Sequence, residues 1–322
     1  MLFIEGGKIR MAYQGNLLSK TLVKGIIFLF ICTGITLSIA VDNVKKSVWS
    51  VSNGNTLYVG GIGVGNYTTI QSAVDNASDG DTVFVYNGTY HEDNVHIRYK
   101  SINLVGEDKN TTIIANTFIL IYSSRNVIIH GFTIIKEVTH TEDINIEFLN
   151  CSNCTFYDNI VQSNLSLLRG IYIVESSEIK IFKNTIKGAR NSIGIDDSQN
   201  CVIQDNYITS GNCGIQIYHS TNVTVFRNHI SKYQTSISID FPKNVDVIQN
   251  NLVGNFFNVG FLVLESENLF EFFFDGNYWS RPRLLPHLII GFPMIGHRLR
   301  IIPIIKFDWH PAKEPYKIEG VI

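Results

Sequence analysis

Cys201-Val-Ile-Gln-Asp-Asn206-Tyr-Ile208 returns as Val223-Thr-Val-Phe-Arg-Asn228-His-Ile230 and again as Val245-Asp-Val-Ile-Gln-Asn250-Asn-Leu252. The asparagines stand 22 residues apart in both steps. Ile179-Lys-Ile-Phe-Lys-Asn184-Thr-Ile186 and Cys154-Thr-Phe-Tyr-Asp-Asn159-Ile-Val161 are earlier copies. Val127-Ile-Ile-His-Gly-Phe132-Thr-Ile134 carries Phe at the Asn position, and a last copy ends at Asn277-Tyr-Trp279. Eleven residues before each Asn from 184 to 250 lies a second apolar alternation: Ile171-Tyr-Ile173, Ile193-Gly-Ile195, Ile215-Gln-Ile217 and Ile237-Ser-Ile239. Alternation of period two buries one face of a strand and exposes the other. Strands this short cannot bury a face alone, so the repeat predicts stacked coils sharing one core.

The expected fold is therefore all-β: a single right-handed parallel β-helix, a solenoid of about eight or nine coils with two clear strands and a third in each. Register stacking gives inward columns Cys154/Ile179/Cys201/Val223/Val245, Phe156/Ile181/Ile203/Val225/Val247 and Ile173/Ile195/Ile217/Ile239. The Asn column is expected at a bend, with its amides bonded to one another and its backbone tolerant of the left-handed region. Cys154 and Cys201 fall two coils apart, about 10 Å, beyond disulfide reach, and read as small buried hydrophobes. Cys151 and Cys213 are open, and the set lacks the paired short spacings of a four-cysteine zinc site.

Outward from the repeat, four segments follow. Residues 1–40 read as a signal peptide, or else an uncleaved anchor: Lys8, Arg10, Lys20 and Lys24 precede an apolar run from Gly25 to Val41, and Ser38-Ile-Ala40 suits cleavage after Ala40. Residues 41–95 hold a first strand at Thr56–Gly60, a short amphipathic helix after Thr68 or Thr69, and the first coil at Thr82–Val85. Residues 96–279 form the β-helix. Residues 280–322, with six of the seven prolines, form a C-terminal cap or a surface-docking segment. The expected location is secreted or cell-surface, with membrane contact only through an uncleaved N-terminus. With 26 Lys and Arg against 28 Asp and Glu, the chain lacks the basic excess that nucleic-acid binding requires.

Tyr67-Thr-Thr-Ile-Gln-Ser-Ala-Val74, Gly80-Asp-Thr-Val-Phe-Val-Tyr-Asn-Gly-Thr-Tyr90, Gly131-Phe-Thr-Ile134 and the Asn-x-Ile repeats resemble the right-handed β-helix repeat proteins. These include NosD-like periplasmic proteins and the carbohydrate-binding and sugar-hydrolysis β-helix domains. Gly276-Asn-Tyr-Trp279 and Phe307-Asp-Trp-His-Pro-Ala312 resemble the caps of archaeal surface members. The resemblance spans about residues 55–315 and implies a fold, not one activity. From its NosD branch it implies an accessory role in metal-enzyme maturation. Copper handling has thin support in the residues, since Met294 is the sole Met of the mature chain and soft sites gather thiolates and thioethers.

Two adjacent columns just after the Ile-x-Ile strands gather the candidate ligand site: Glu175, Asp196, Asp197, Tyr218, His219 and Asp240. Carboxylates paired on one face could serve acid–base glycoside chemistry, bind Ca²⁺, or contact a sugar beside an aromatic ring. No Gly-His-Gly and no pectate-lyase Asp/Arg cluster accompanies them. The expectation is thus a non-catalytic protein binding polysaccharide or envelope components, with no resident metal or cofactor beyond an optional Ca²⁺. A polysaccharide lyase, hydrolase or epimerase is the alternative. A further column, Asp158/Lys183/Asp205/Arg227, reads as a ladder of exposed ion pairs worth about 0–1 kcal/mol each. Asn66, Asn76, Asn87, Asn110 and Asn164 are glycosylation candidates, and Asn150, Asn153 and Asn222 also stand in sequons.

Overall fold

Burying an alternating strand on both flanks of a coil demands a neighbour of the same pattern on each side, and along one sheet the chain supplies one every 21–27 residues, 22 in the most regular coils. The computed structural model describes residues 54–136, 144–163, 169–264, 272–295, 298–299 and 303–318, together with a short antiparallel pair, Phe3–Glu5 with Lys8–Arg10. It is a right-handed parallel β-solenoid of about nine turns. The segment read as a signal, residues 1–40, and the sequon Asn164 lie outside the described residues, apart from that short pair. No helix among the described residues is long and apolar enough to cross a membrane.

Each regular coil carries three strands. The first sheet stacks ten of them, from Thr56–Val59 through Lys180–Phe182 and Val202–Gln204 to Phe272–Asp275. The second and third columns are separate at Thr185–Lys187 and Asn191–Asp196 but fuse into twelve-residue strands at Tyr207–Tyr218 and His229–Asp240. The expected register holds: Phe156 pairs Ile181, Ile181 pairs Ile203, Ile203 pairs Val225 and Val225 pairs Val247. All three inward columns are buried, with the thiols of Cys154 and Cys201 among them.

The Asn column departs from the expectation in an instructive way. Asn159, Asn184, Asn206, Asn228 and Asn250 are wholly buried, and the left-handed backbone belongs to the residue before each of them: Asp158, Lys183, Asp205, Arg227 and Gln249, at φ of 50–55°. The turn swings each amide inward. The two hydrogens of Asn206 Nδ2 are shared among Ile181 O (2.8 Å), Gln204 O (2.9 Å) and Asn228 Oδ1 (3.0 Å), while its Oδ1 accepts from both nitrogens of Asn184 at 3.0 Å. Every polar atom of the amide is matched, as burial requires. The chain of amides starts where Phe132 N donates to Asn159 Oδ1 and runs one way to Asn277, whose N and Nδ2 end on the buried carboxylate of Asp308. Trp279 Nε1 donates to the same oxygen at 2.9 Å. Burial pushes the Asp308 carboxyl up, against these donors.

The ion-pair ladder is only partly made. Arg227 Nε stands 3.1 Å from Asp205, but Asp158 turns to Lys109 in a neighbouring loop, 2.6 Å away, rather than to Lys183.

Open solenoid ends expose unpaired strand groups and need covers. At the N-terminal end the helix Ile70–Asn76 packs Ile70, Ala73 and Val74 over the core. Thr69, not Thr68, is its N-cap, accepting from Ser72 N. The Glu92 carboxylate accepts from Ile70 N, and Lys100 Nζ donates to the carbonyls of Val74, Asp75 and Ala77. Opposite charges thus meet the matching ends of the helix dipole. At the other end His287–Ile295 extends the third column, and Ile304–Asp308 pairs with it antiparallel. The tail then returns along the flank, where Tyr316 exchanges two hydrogen bonds with the Asn251 side chain.

Candidate functional site

The corner after the third strand repeats a second left-handed residue: Tyr99, Ser123, Asn150, Glu175, Asp197, His219 and Phe241, at φ of 44–57°. The next residue then turns in, and the corner after it turns left-handed again at Asn126, Asn153, Glu178, Asn200, Asn222 and Asn244. The inward residue between the two turns is Ser124, Cys151, Ser176, Ser198 or Ser220. Ser176 Oγ donates to Val174 O (2.7 Å) and accepts from Cys151 N (2.9 Å); Ser198 and Ser220 repeat the pattern one coil on. Cys151 fits the same slot, its thiol 3.3 Å from Ile121 O and 3.4 Å from Leu149 O. A buried serine ladder thus pins this corner as the Asn ladder pins another. It was legible as Ser176, Ser198 and Ser220, each eight residues before an Asn, but a hydroxyl in a polar turn gives little warning that it is buried. Pro242 ends it at the following coil.

The two tight turns leave a polar hollow between them. One part, about 350 Å³, is lined by Asn150, Ser152, Glu175, Ser177, Asp197 and His219, among others. A second, about 310 Å³, shares Asn150 and Ser152 and reaches Lys100, Arg125 and Asp79. Together they make a groove along the solenoid axis. From Tyr99 to His219 it spans five strand spacings, about 24 Å.

The corner divides the six sequence-derived residues. Glu175, Asp197 and His219 sit on the left-handed turn, exposed, on one wall of the groove. Asp196, Tyr218 and Asp240 precede them in the chain and stand half-buried on the outer face of the third sheet. The halves meet at one aromatic cluster. The His219 ring lies 4.0 Å from Tyr218 and 4.9 Å from Phe241 between centroids, and its Nδ1 is 3.9 Å from Asp197 Oδ1. Glu175 shares the wall, one coil from Asp197.

On the sheet face, Tyr172 donates to Asp196 Oδ2 at 2.9 Å, with the Arg169 guanidinium 4.6 Å over its ring. The ring can lie flat because the next coil offers Gly194; a Cβ there would meet Tyr172 Cδ2 at 2.5 Å. Sequence reading missed Tyr172 and Arg169, since only the register places them beside Asp196. Burial pushes the Asp240 carboxyl up, opposed by the Ser238 hydroxyl and by His219. The arrangement offers hydroxyl, amide and carboxylate hydrogen-bonding groups in a row, with one aromatic cluster. It shows no acid and base facing each other across a cleft.

A pectate lyase from Bacillus sp. N165, solved with trigalacturonate, is similar to the chain with a TM-score of 0.55 at 16% identity, over 72% of this chain and 84% of that one. A rhamnogalacturonan lyase aligns with a TM-score of 0.51 at 13% identity, over 80% of each chain. At such identities the likeness is one of fold. Among curated proteins none matches. A family profile described as "Periplasmic copper-binding protein (NosD)" matches residues 74–284.

Copper in that description can be tested against the donors present. Among the described residues no three His, Cys, Asp or Glu converge as a metal cage. Burial holds the Cys201 thiol up at about 11 and that of Cys213 up at about 12, and the hydrogen bond with Cys151 together with burial pushes Cys154 up as well. Cys151 alone shifts down, through its bond with Cys154. Three thiols held up by burial, with no set of donors converging on them among the described residues, do not fit a resident soft-metal site. The fold, the repeat and a profile covering well over half of the sequence agree, and the chain belongs to the NosD family of β-helix proteins.

Proposed function

We propose that the protein is a non-catalytic, extracytoplasmic β-helix that binds polysaccharide along the corner groove. The observation that carries this is the groove itself: continuous over six coils, open to solvent, and lined by Ser, Asn, Asp, Glu and His side chains. A sugar chain presents hydroxyls at a regular spacing, and a solenoid presents hydrogen-bonding groups at one too. Tyr218 and His219 add an apolar ring surface at one end. The periplasmic description of the family supports an extracytoplasmic setting. The lining is mixed in charge, Lys100 and Arg125 toward one end and Glu175 and Asp197 toward the other. That favours neutral chains, with uronic-acid chains needing Ca²⁺ to bridge the acidic end.

The test is retention of the purified protein on neutral and uronic-acid polysaccharides, with and without Ca²⁺. Asp197→Ala and His219→Ala should each weaken retention about tenfold, the effect of losing one or two hydrogen bonds. Both side chains are exposed, so unfolding should shift only by the left-handed backbone's dislike of Ala, about 1 kcal/mol. Equal retention of the variants would remove this groove, and release of shortened or unsaturated sugar would establish an enzyme instead.

A further inference from the structure

The antiparallel pair that closes the C-terminal end is apolar on the side turned to solvent, where the solenoid's strands are apolar on the side turned inward. Its inner side carries His287, Ile289, Lys306 and Asp308, at most half-exposed, while its outer side carries Leu288, Ile290, Phe292, Ile305, Phe307 and Trp309, exposed by 37–59%. Leu288 stands opposite Phe307 and Ile290 opposite Ile305, and the Phe307 and Trp309 rings are 5.0 Å apart. These are contiguous, not scattered. The face amounts to roughly 500 Å² of apolar surface, at the upper end of what a monomer leaves bare. Beside it the loop Arg281-Pro-Arg-Leu-Leu-Pro286 holds Leu284 and Leu285 in solvent, 87% and 76% exposed. Charge is skewed in the same segment. Residues 281–322 carry seven Lys or Arg against three Asp or Glu, whereas the whole chain carries 26 against 28. Arg281 and Lys313 are exposed with Glu314 beside them, Asp308 is buried, and Lys317 lies back along the flank, where its carbonyl accepts from Arg227.

We infer that this face docks on a lipid bilayer with anionic headgroups, the apolar side chains entering the interface and the cations meeting the phosphates. A second copy of the chain is the poorer occupant. Like charges would face each other across a two-fold, and the area falls below the roughly 800 Å² per partner of a stable interface. A bilayer accepts both features at once, since aromatic and aliphatic side chains ringed by Lys and Arg suit the headgroup boundary. The face uses none of the residues of the glycan groove, so either reading can fail alone.

The experiment uses the full chain carrying Trp49→Phe, which leaves buried Trp279 and exposed Trp309 as emitters. Vesicles of phosphatidylcholine with about one-third phosphatidylglycerol and brominated acyl chains should quench Trp309, and the two exposed cations should make the apparent affinity about thirtyfold lower on neutral vesicles. Adding Trp309→Phe should abolish the quenching. So should Ile290→Asp with Phe307→Asp, at a cost of a few degrees in the thermal transition, because the two side chains are 46% and 38% exposed. Because the readout is contact at the cap, an N-terminal segment that holds the chain on the vesicle cannot mimic it. Unquenched Trp309 on anionic vesicles would overturn the proposal. So would lipid-free dimerisation that the same two substitutions dissolve, which would give the face to a second copy.

Discussion

Replacing Asn206 with Ala removes one link from the buried amide ladder, and the geometry sets the cost. Asn184 N loses its acceptor at 3.0 Å and is left as a buried donor with none. That alone costs about 1–3 kcal/mol. The two Nδ2 hydrogens, shared among Ile181 O, Gln204 O and Asn228 Oδ1, disappear as well. Each of these acceptors sits where it can keep a backbone partner, so each loss is nearer the net value of an ordinary hydrogen bond. With the small cavity left at the corner, the total is about 3–5 kcal/mol. The matched control is Asn222, which recurs at the same 22-residue spacing but lies on the exposed ladder at φ 54°, donating to Asn200 Oδ1 at 3.0 Å. Asn222→Gly keeps the left-handed backbone accessible and should change stability by less than about 0.5 kcal/mol. Urea unfolding followed by far-ultraviolet circular dichroism measures both. Asn206→Asp sharpens the reasoning, because an ionised carboxylate can accept from Asn184 but would turn its second oxygen on two carbonyls. Its folded-state pKa must rise, so its stability should be highest below the unfolded carboxyl pKa and fall as pH rises through the folded value. If Asn206→Ala costs no more than Asn222→Gly, the ladder is not what holds the corner, and the argument fails.

The serine ladder yields a paired comparison: Ser198→Ala strands Ser176 N and should cost about 1–3 kcal/mol, whereas Cys151→Ser places a hydroxyl in a slot already built for one and should stay within about 1 kcal/mol of the parent, both by denaturant titration. Asp240, its carboxyl pushed up by burial, contributes stability that is complete below the unfolded pKa and is lost as pH rises through the folded one. Asp240→Asn should flatten that part of the stability–pH curve and leave the protein at least as stable at neutral pH; a curve that keeps its slope would assign the titration to another group.

The fold was legible because a solenoid writes one structural unit several times in the sequence, and coincidence cannot keep Asn184, Asn206, Asn228 and Asn250 in step with Ile193, Ile215 and Ile237. Period and alternation fixed which residues face inward, and the register follows from them. They did not fix the backbone of the turns. Asn and its neighbour Asp205 or Arg227 are both polar, so the pattern could not say which took the left-handed conformation and which went inside; the answer depends on the amide finding five partners, which only stacked coils provide. The same blindness hid Ser176 and Ser198 and drew the candidate site as two columns on one face. Because the corner passes between Asp196 and Asp197, one of them lies on the sheet beneath the Tyr172 hydroxyl and the other on the groove wall. A one-residue step along the chain thus separates a structural carboxylate from one free to meet a ligand. This is why Asp197 and His219, rather than Asp196, are the residues whose replacement tests the groove.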